Sequence, residues 1–350
     1  MIKLLIVDDS ALMRRQLNLV FAEQDDFEIC LARNGKDAVE ENLRFQPDVV
    51  TLDINMPEMD GLTALSVMMA QRPVPIVMVS SLTEQGALAT FEALALGAVD
   101  YIAKPGGTVS LSLDVVKKEL VRKVRAAVRA NVKAKRLATP SSAQSAVANR
   151  PLVHPAPRPP GDGIVIIGVS TGGPGTLEEV LPLFPANFPH PILVAQHMPA
   201  SFTAPFANRL NTLCELQVVE ASRPMPLEAG VIYIGKGGAD MVITRRSGVA
   251  TVIPKPESSE FVWHPSVELL GRSALEHYNP TKIIAVMLTG MGYDGADAFA
   301  EIRKRGGYTI AESQESCVIF GMPAELIARN GATVVLPANL ITQQVLSRVR

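Results

Sequence analysis

A small set of charged and hydroxyl side chains near the start of the chain could form one chemical site. Each stands at or just after the end of a short apolar run that predicts a buried β-strand: Asp8, Asp9, Asp53, Ser80 and Lys104. The carboxyl ends of parallel strands meet at one edge of an open α/β sheet. Three carboxylates there would form the oxygen-rich site that Mg²⁺ prefers, and a lysine could neutralise a transferred phosphoryl group. The pattern favours an aspartate that accepts a phosphoryl group.

A second set of residues, in the other half of the chain, has the types needed for nucleophilic catalysis. Ser170 is the middle residue of Gly168–Gly172, which follows a predicted strand and has the G-x-S-x-G pattern of an exposed serine. His197 and Asp294 also follow predicted strands. A serine nucleophile needs a base and a group that orients the base. Three strand ends at one sheet edge could bring these side chains together.

Two other interpretations of the Ser170 turn stay open on the residues alone. Its glycines could let the backbone approach a dinucleotide, although their spacing does not match G-x-G-x-x-G. Ser170 could also serve as the N-cap of the following helix. The chain order Ser…His…Asp differs from the Ser…Asp…His order of α/β-hydrolases, which disfavours that family.

The elements that must position these residues predict two α/β domains, in line with the 350-residue length. Apolar strands alternate with helical patterns in residues 1–125, which predicts a parallel sheet. Residues 126–162 are predicted to be a linker, helical at first and then proline-rich. One long amphipathic helix is expected to begin at Leu113, in the first domain, and to continue into the linker as far as about Arg136. Residues 163–350 form the second domain.

The second domain is predicted to be doubly wound and mostly parallel, with a small antiparallel insertion. Its four expected core strands are Ile164–Ile167, Ile192–Ala195, Ile283–Leu288 and Tyr308–Ala311. Three shorter apolar segments between them carry glycine turn signals and predict antiparallel hairpins: Val231–Ile234, Met241–Thr244 and Ala250–Ile253.

Composition narrows the class of protein. Hydrophobic residues make up 47% of the chain and the net charge is −2, so nothing indicates a nucleic-acid partner. The three widely spaced cysteines, Cys30, Cys214 and Cys317, match neither a disulfide framework nor a zinc pattern. A reducing, cytoplasmic location is expected. No apolar run reaches the roughly 18 residues that span a bilayer, so no membrane insertion is expected.

The first domain resembles the receiver domain of two-component response regulators. The resemblance rests on Asp8 and Asp9, on the run from Asp53 to Gly61, and on Ser80 and Lys104-Pro105. It implies a flavodoxin-like (βα)5 fold with Asp53 as the phosphoacceptor. By the same resemblance, the Mg²⁺ ligands would be Asp8, Asp9, Asp53 and the carbonyl of Asn55. Lys104 would contact the phosphoryl group, and Ser80 and Tyr101 would form a hydroxyl–aromatic switch.

The second domain is similar to the catalytic domain of chemotaxis protein-glutamate methylesterases. The matching stretches are Gly168–Pro174, Gln196–Pro199 with Phe202-Thr203, Pro265–Val267, Leu288–Gly292, Asp294-Gly295 and Phe320–Pro323. The resemblance implies that Ser170 attacks a glutamate methyl ester, His197 carries the proton and Asp294 orients His197. It also implies oxyanion donors among the backbone N–H groups near Met291, Thr171 or His197, and deamidation of receptor glutamines.

The sequence departs from the usual pattern of that family at several positions. Gly235 and Lys236 stand where Ala-Pro is usual, and the His-Met that normally follows is replaced after Ala239. His264 stands in the place of an arginine, and Tyr293 in the place of an asparagine. These departures leave the triad residues intact but put the choice of substrate in doubt.

Together the two resemblances predict a serine esterase that phosphorylation of Asp53 activates. They imply a chemotaxis histidine kinase as phosphodonor, methylated chemoreceptor cytoplasmic domains as substrate, Mg²⁺ in the receiver and no cofactor for ester hydrolysis. Two alternatives remain: a hydrolase of another small ester or amide, and a response regulator whose second half only binds a partner.

Overall fold

The computed structural model describes residues 1–81, 83–104, 113–130 and 161–349. The chain divides into two compact units, Met1–Leu137 and Ala138–Arg350. Most of the predicted linker, together with Pro105, lies outside the described residues. Within the described part of the chain, every helix is too short or too polar to cross a membrane.

The first unit is built on one five-stranded sheet in which all neighbouring strands are parallel. Its strands are β1 (Ile2–Val7), β2 (Phe27–Ala32), β3 (Val49–Asp53), β4 (Ile76–Ser80) and β5 (Asp100–Ala103). The spatial order β2-β1-β3-β4-β5 is the flavodoxin-like order, so the predicted fold is confirmed. The order reverses between β1 and β3, where sheets of this type bind ligands.

Helices alternate with these strands: α1 (Ala11–Ala22), α2 (Gly35–Arg44), α3 (Gly61–Gln71), α4 (Glu84–Leu96) and α5 (Leu113–Ala127). Polar side chains cap α1 to α4 by accepting a backbone N–H in the first turn: Ser10, Asn34, Asp60 and Thr83. Gly61 lets α3 begin directly behind the acidic site, because a Cβ there would lie 2.0 Å from the carbonyl oxygen of Asp53.

Helix α5 ends earlier than the sequence predicted. It stops at Ala127, whereas the expected helix continued to about Arg136. The backbone bonds tighten there, since the N–H of Arg129 donates to Ala126 and that of Ala130 to Ala127. Such three-residue bonds close the last turn of a helix. Residues 131–136 of the predicted helix lie outside the described residues.

The part of the second unit that the structure describes, residues 161–349, has ten strands. They are β6 (Ile164–Val169), β7 (Ile192–Gln196), β8 (Gln217–Ala221), β9 (Met225–Pro226), β10 (Val231–Gly235), β11 (Asp240–Arg246), β12 (Val249–Lys255), β13 (Ile283–Met287), β14 (Tyr308–Glu312) and β15 (Val334–Leu336). Seven form an all-parallel sheet in the order β15-β14-β13-β6-β7-β10-β8, which confirms a mostly parallel α/β domain. The four predicted core strands are all present in it.

The assignment of Val231–Ile234 to an antiparallel hairpin is wrong. These residues lie in β10, which pairs in parallel with β7 and β8, and every residue of β10 is buried. A strand covered on both faces belongs to a buried parallel sheet. The other two predicted segments do form an antiparallel pair, β11 with β12, and β9 adds a third strand.

Among residues 161–349, the α-helices are α6 (Gly173–Val180), α7 (Ala200–Leu213), α8 (Val267–His277), α9 (Ala296–Lys304), α10 (Met322–Ala328) and α11 (Ala338–Arg348). The core joins β6 and β13 to α8 and α9 through fully buried side chains such as Ile166, Ile283, Leu270 and Phe299. The chain order reverses between β6 and β13, so a ligand crevice is expected beyond the carboxyl ends of these two strands.

Candidate functional site

The acidic residues predicted in the first unit come together beside the point where its strand order reverses. Asp8 follows β1 and Asp53 ends β3. Both are buried, while Asp9 is exposed. One carboxylate oxygen from each of the three lies within 4.8 Å of the others. The Lys104 Nζ, which follows β5, lies 2.8 Å from Asp53 Oδ2 and 3.1 Å from Asp8 Oδ2.

The charges in this cluster do not balance. Three carboxylates face one ammonium group, so two negative charges remain. Burial and the neighbouring Asp8 raise the pKa of Asp53 despite its bond to Lys104. Burial would lower the pKa of Lys104, but the two carboxylates outweigh it and raise that pKa. An excess of converging carboxylate oxygens fits a divalent cation that prefers oxygen ligands. Asn55 is exposed two residues after Asp53.

The two predicted switch residues of this unit are buried. The Ser80 hydroxyl donates to the carbonyl oxygen of Gly86 at 3.2 Å. Tyr101 is 3% exposed, and burial raises the pKa of its hydroxyl. Ser80 and Tyr101 lie on the neighbouring strands β4 and β5. A hydroxyl that bonds a backbone carbonyl can exchange that partner for a stronger acceptor, such as a phosphoryl oxygen.

In the second unit, the strands place the three predicted residues at the same edge of the sheet. Val169 pairs with Gln196 across β6 and β7, so Ser170 and His197 follow at neighbouring strand ends. Asp294 comes from the loop after β13, on the other side of β6. The N–H of Ser170 donates to the carbonyl of Thr289 at 2.9 Å, which ties the serine turn to that loop.

A hydrogen bond between His197 and Asp294 helps to set the orientation of the histidine ring. The distance between His197 Nε2 and Asp294 Oδ2 is 2.8 Å. Nδ1, the other ring nitrogen of His197, is buried and has no hydrogen-bond partner among the described residues. With the proton on Nε2 donated to Asp294, Nδ1 presents a lone pair. The ring is therefore arranged to accept a proton at Nδ1.

Asp294 is held at the start of α8. Its carboxylate accepts bonds from the N–H groups of Val267 at 2.7 Å and Glu268 at 3.0 Å, and from the Ser266 hydroxyl at 3.1 Å. Burial alone would raise the pKa of Asp294, but the bonds from His197 and the helix N–H groups lower it. A helix N-terminus favours negative charge for the same reason. Asp294 is thus kept ionised and fixed in direction.

Sequence reasoning gave no role to Gln196, which connects Ser170 and His197. Its Nε2 donates to the carbonyl oxygens of both residues at 3.0 Å. A Cβ at Gly173 would lie 1.9 Å from Gln196 Oε1, so glycine at the start of α6 makes room for this side chain. A polar residue at the end of an otherwise apolar strand was the available signal.

The roles of Thr289 and Glu312 were not predicted from the sequence either. Both belong to a chain of hydrogen bonds that supports the turn containing Ser170. The Thr289 hydroxyl donates to the carbonyl of Thr171 at 2.9 Å, and the Thr289 N–H donates to Glu312 Oε2 at 2.8 Å. Glu312 is fully buried, and this burial raises its pKa to about 7. A carboxyl group that titrates near neutrality therefore lies directly beneath the turn.

The three residues predicted to supply oxyanion donors, His197, Met291 and Thr171, differ in whether their backbone N–H groups can serve. The N–H of His197 donates to the carbonyl of Val169 at 3.2 Å, which excludes that group as a donor. Gly290 lies against the serine, since a Cβ there would be 2.7 Å from Ser170 Cβ. The next residue, Met291, has an N–H that makes no hydrogen bond within the described residues. Thr171 directly follows Ser170 in the turn.

The departures from the family pattern lie in segments that support this site. His264 Nδ1 bonds the buried Asp240 Oδ1 at 2.8 Å, so a second histidine–aspartate pair, with a half-buried histidine, occupies these positions. A Cβ at Gly235 would lie 2.9 Å from Pro265. Tyr293, which is 54% exposed, precedes Asp294. Lys236 is exposed and Ala239 is buried.

Comparisons with known proteins agree with this architecture. Residues 165–345 match the CheB methylesterase family and residues 4–115 match the response regulator receiver domain. The chain is 56% identical to a protein-glutamate methylesterase/protein-glutamine glutaminase of Rhodospirillum rubrum, over 98% of this chain and 95% of that protein. A protein of the same description from Rhodopseudomonas palustris is 48% identical over 99% and 98%, respectively.

A solved structure gives the same picture of the second unit. The crystal structure of the Thermotoga maritima CheB methylesterase catalytic domain is 38% identical, with a TM-score of 0.52, and covers 53% of this chain and 98% of that one. The chain therefore belongs to the CheB methylesterase family, with a response regulator receiver domain preceding its methylesterase domain.

Proposed function

We propose that this protein is a phosphorylation-activated esterase that hydrolyses glutamate methyl esters on chemoreceptors and deamidates specific receptor glutamines. The observation that carries the proposal is the 2.8 Å bond between His197 Nε2 and Asp294. It leaves the basic Nδ1 without a described partner at the strand end beside that of Ser170. The full-length relatives that carry both activities in their names support the same assignment.

The proposed reaction uses Ser170 as nucleophile and His197 as base. The Ser170 Oγ attacks the ester carbonyl while its proton passes to His197 Nδ1, and Asp294 stabilises the resulting imidazolium. His197 then protonates the leaving methanol. Water then attacks the acyl carbonyl and gives a proton to the same nitrogen, and His197 passes that proton to Ser170 Oγ as the glutamate leaves. A glutamine side chain would follow the same route with ammonia as the leaving group.

The tetrahedral oxyanion needs donors that are in place before the reaction. We assign this role to the backbone N–H groups of Met291 and Thr171. Gly290 supports the assignment because its backbone packs against Ser170, and Met291 is the next residue in the chain. One such donor contributes about 3 kcal/mol to lowering the barrier.

Asp53 is the proposed phosphoacceptor, with a chemotaxis histidine kinase as phosphodonor. Asp8, Asp9, Asp53 and the carbonyl of Asn55 would hold Mg²⁺, which supplies charge neutralisation of the phosphoryl oxygens when bound. Lys104, already paired with Asp53, would contact the phosphoryl group. Ser80 would leave the carbonyl of Gly86 to bond it. The proposed substrate is the cytoplasmic domain of a methylated chemoreceptor, and we infer a cytoplasmic location for the enzyme from it.

The test is methanol release from methylated chemoreceptor membranes, with and without a small phosphodonor and Mg²⁺. We expect release that rises with the phosphodonor, disappears in Ser170→Ala and persists in the control Ser222→Ala, whose side chain is exposed. Failure of folded wild-type protein to release methanol would favour a hydrolase of another ester or amide. Full activity of Ser170→Ala would contradict the proposed nucleophile.

A further inference from the structure

The ring of Trp263 covers the imidazole of His197. The two ring centroids are 5.9 Å apart and the ring planes differ by 8°, which is an offset parallel stack. His197 is held by one side-chain bond, from Nε2 to Asp294. A single bond restrains Nε2, but the ring can still rock about its Cβ–Cγ bond with little change in the distance from Nε2 to Asp294. A stacked indole limits this rocking and so restricts the direction of Nδ1.

Trp263 is in turn supported by the loop that carries Asp294. The ring of Tyr293 meets Trp263 edge-on, with centroids 5.1 Å apart and an interplanar angle of 87°. Gly292 has a φ of +98°, and a Cβ there would lie 2.8 Å from the indole. Glycine at this position therefore satisfies the backbone conformation and admits the ring. Three consecutive residues thus act together: Gly292 leaves space for the indole, Tyr293 packs against it, and Asp294 accepts the hydrogen bond from His197.

The segment that contains Trp263 is anchored on the buried Asp240. Asp240 Oδ1 accepts bonds from His264 Nδ1 and from the N–H of Ser266, both at 2.8 Å. The Ser266 hydroxyl donates to Asp294 at 3.1 Å. Residues 263–266 therefore contact His197 at one end and Asp294 at the other, and Asp240 fixes the segment in between.

We propose that Trp263 is a positioning residue, which aligns the imidazole of His197 so that Nδ1 faces the hydroxyl of Ser170 during the reaction. The inference rests on the proposed serine-esterase function, because it assumes that Nδ1 takes the proton from Ser170. Its effect falls on the rate of the chemical step. In this role Trp263 does not bind the receptor, so removing the stack should lower kcat and leave KM unchanged.

The experiment uses the full chain and a fluorophosphonate probe, which reacts with an activated serine whatever the natural substrate is. The Ser170 Oγ would bond the probe phosphorus, fluoride would leave, and the serine proton would pass to His197. We expect Trp263→Leu to react about tenfold more slowly, since small misalignments of a catalytic group have effects of this size or larger. Trp263→Phe keeps a stacked ring and should recover most of the rate.

The matched control is Phe261→Leu, an aromatic residue of the same segment whose ring faces Arg272 at 5.6 Å. It should react at the wild-type rate. The same variants are then compared in methanol release with saturating phosphodonor, where Trp263→Leu should lower kcat about tenfold and change KM less than about twofold. Thermal unfolding shows which variants are folded.

Several outcomes would overturn the inference: a wild-type rate in Trp263→Leu, an equal loss in Phe261→Leu, no recovery in Trp263→Phe, or a change confined to KM. If Trp263→Leu does not fold, the exposed Tyr293→Leu replaces it. A lower kcat with unchanged KM would then support the role of the stack, and an unchanged kcat would overturn it. A wild-type protein that reacts no faster than Ser170→Ala would instead overturn the esterase proposal, and the inference with it.

Discussion

The two candidate sites occupy the same place in their respective sheets, beyond the strand ends where the chain order reverses, yet they treat charge differently. In the receiver unit three carboxylates share one lysine, and negative charge is left over. In the methylesterase unit the single carboxylate of Asp294 accepts four donors from its own chain. The first arrangement suits a site that works with an added cation. The second suits one whose function depends on direction.

The largest effect that would test this contrast is expected for Asp294→Asn. An asparagine can point its NH₂ group at His197, which forces the histidine proton onto Nδ1 and removes the base. We expect the rate at which the fluorophosphonate labels Ser170 to fall by a factor on the order of 10³ or more.

The control for that substitution is Asp297→Asn, three residues further along. Asp297 is an exposed acid whose side chain pairs with Arg329. It should retain the wild-type labelling rate. Equal losses in the two variants would show that the result reflects stability rather than the direction of the His197 proton.

Removal of divalent cations should separate the two sites. With a chelator present, we expect the phosphodonor to lose all stimulation of methanol release, because the carboxylate excess around Asp53 is left uncompensated. Basal hydrolysis should stay unchanged. Asp53→Asn should behave in the same way, and the exposed Asp25→Asn should keep full stimulation. A chelator that abolished basal hydrolysis would break the contrast between the sites.

Glu312→Gln should change the pH dependence of stability. The folded-state pKa of Glu312 is about 7, against an ordinary value of 4.5. The folded protein therefore binds this proton more tightly, and the associated stability is present below pH 4.5 and lost as the pH rises through 7. The shift corresponds to about 3 kcal/mol.

The glutamine variant cannot ionise, so above pH 7 it should be more stable than the wild type by up to that amount. Its amide oxygen can still accept from Thr289 and its NH₂ can donate to Ser316. Denaturant unfolding at pH 5 and pH 8 measures the difference. Identical pH profiles for the two proteins would contradict the assignment. Glu315→Gln, in the loop that follows β14, serves as the control.

A smaller effect is expected for Gln196→Leu. The substitution removes both bonds that tie the carbonyls of Ser170 and His197 together. We expect the rate of hydrolysis to fall about fivefold to tenfold. Ser170 and His197 lose the side chain that bonds both of their carbonyls, but the strands that position them remain. Gln217→Leu, on the edge strand β8, should keep the wild-type rate. An unchanged rate in Gln196→Leu would show that the sheet alone sets the spacing.

The sequence predicted most of the framework because apolar runs that end in polar residues mark buried parallel strands. This is why β1, β3, β6 and β13 could be identified, together with the residues after them. It failed for β10, because a short apolar strand looks the same in a hairpin as in a parallel sheet. The parallel pairing of β10 with β7 and β8, which only the tertiary structure shows, distinguishes the two.

Much of what holds the methylesterase site together comes from residues far away in the chain. Asp294 is fixed by donors at 266–268 and Thr289 by Glu312, and no spacing rule connects these positions. The stack of Trp263 on His197 likewise depends on a loop conformation that Gly292 permits. Short motifs identify the reacting groups, whereas their supporting groups follow from tertiary structure.

The attachment of Asp294 to the first turn of α8 also makes the methylesterase site less sensitive to salt than the receiver site. Mobile ions screen charges that are exposed or separated by more than about 8 Å at physiological ionic strength. Asp294 is 5% exposed and its donors lie within 3.1 Å, so dissolved ions have little access to these bonds. The receiver cluster includes the exposed Asp9, so dissolved ions can reach it and would compete for any cation that it binds. Ionic strength would then alter how readily the enzyme is switched on, and leave the cleavage step itself almost untouched.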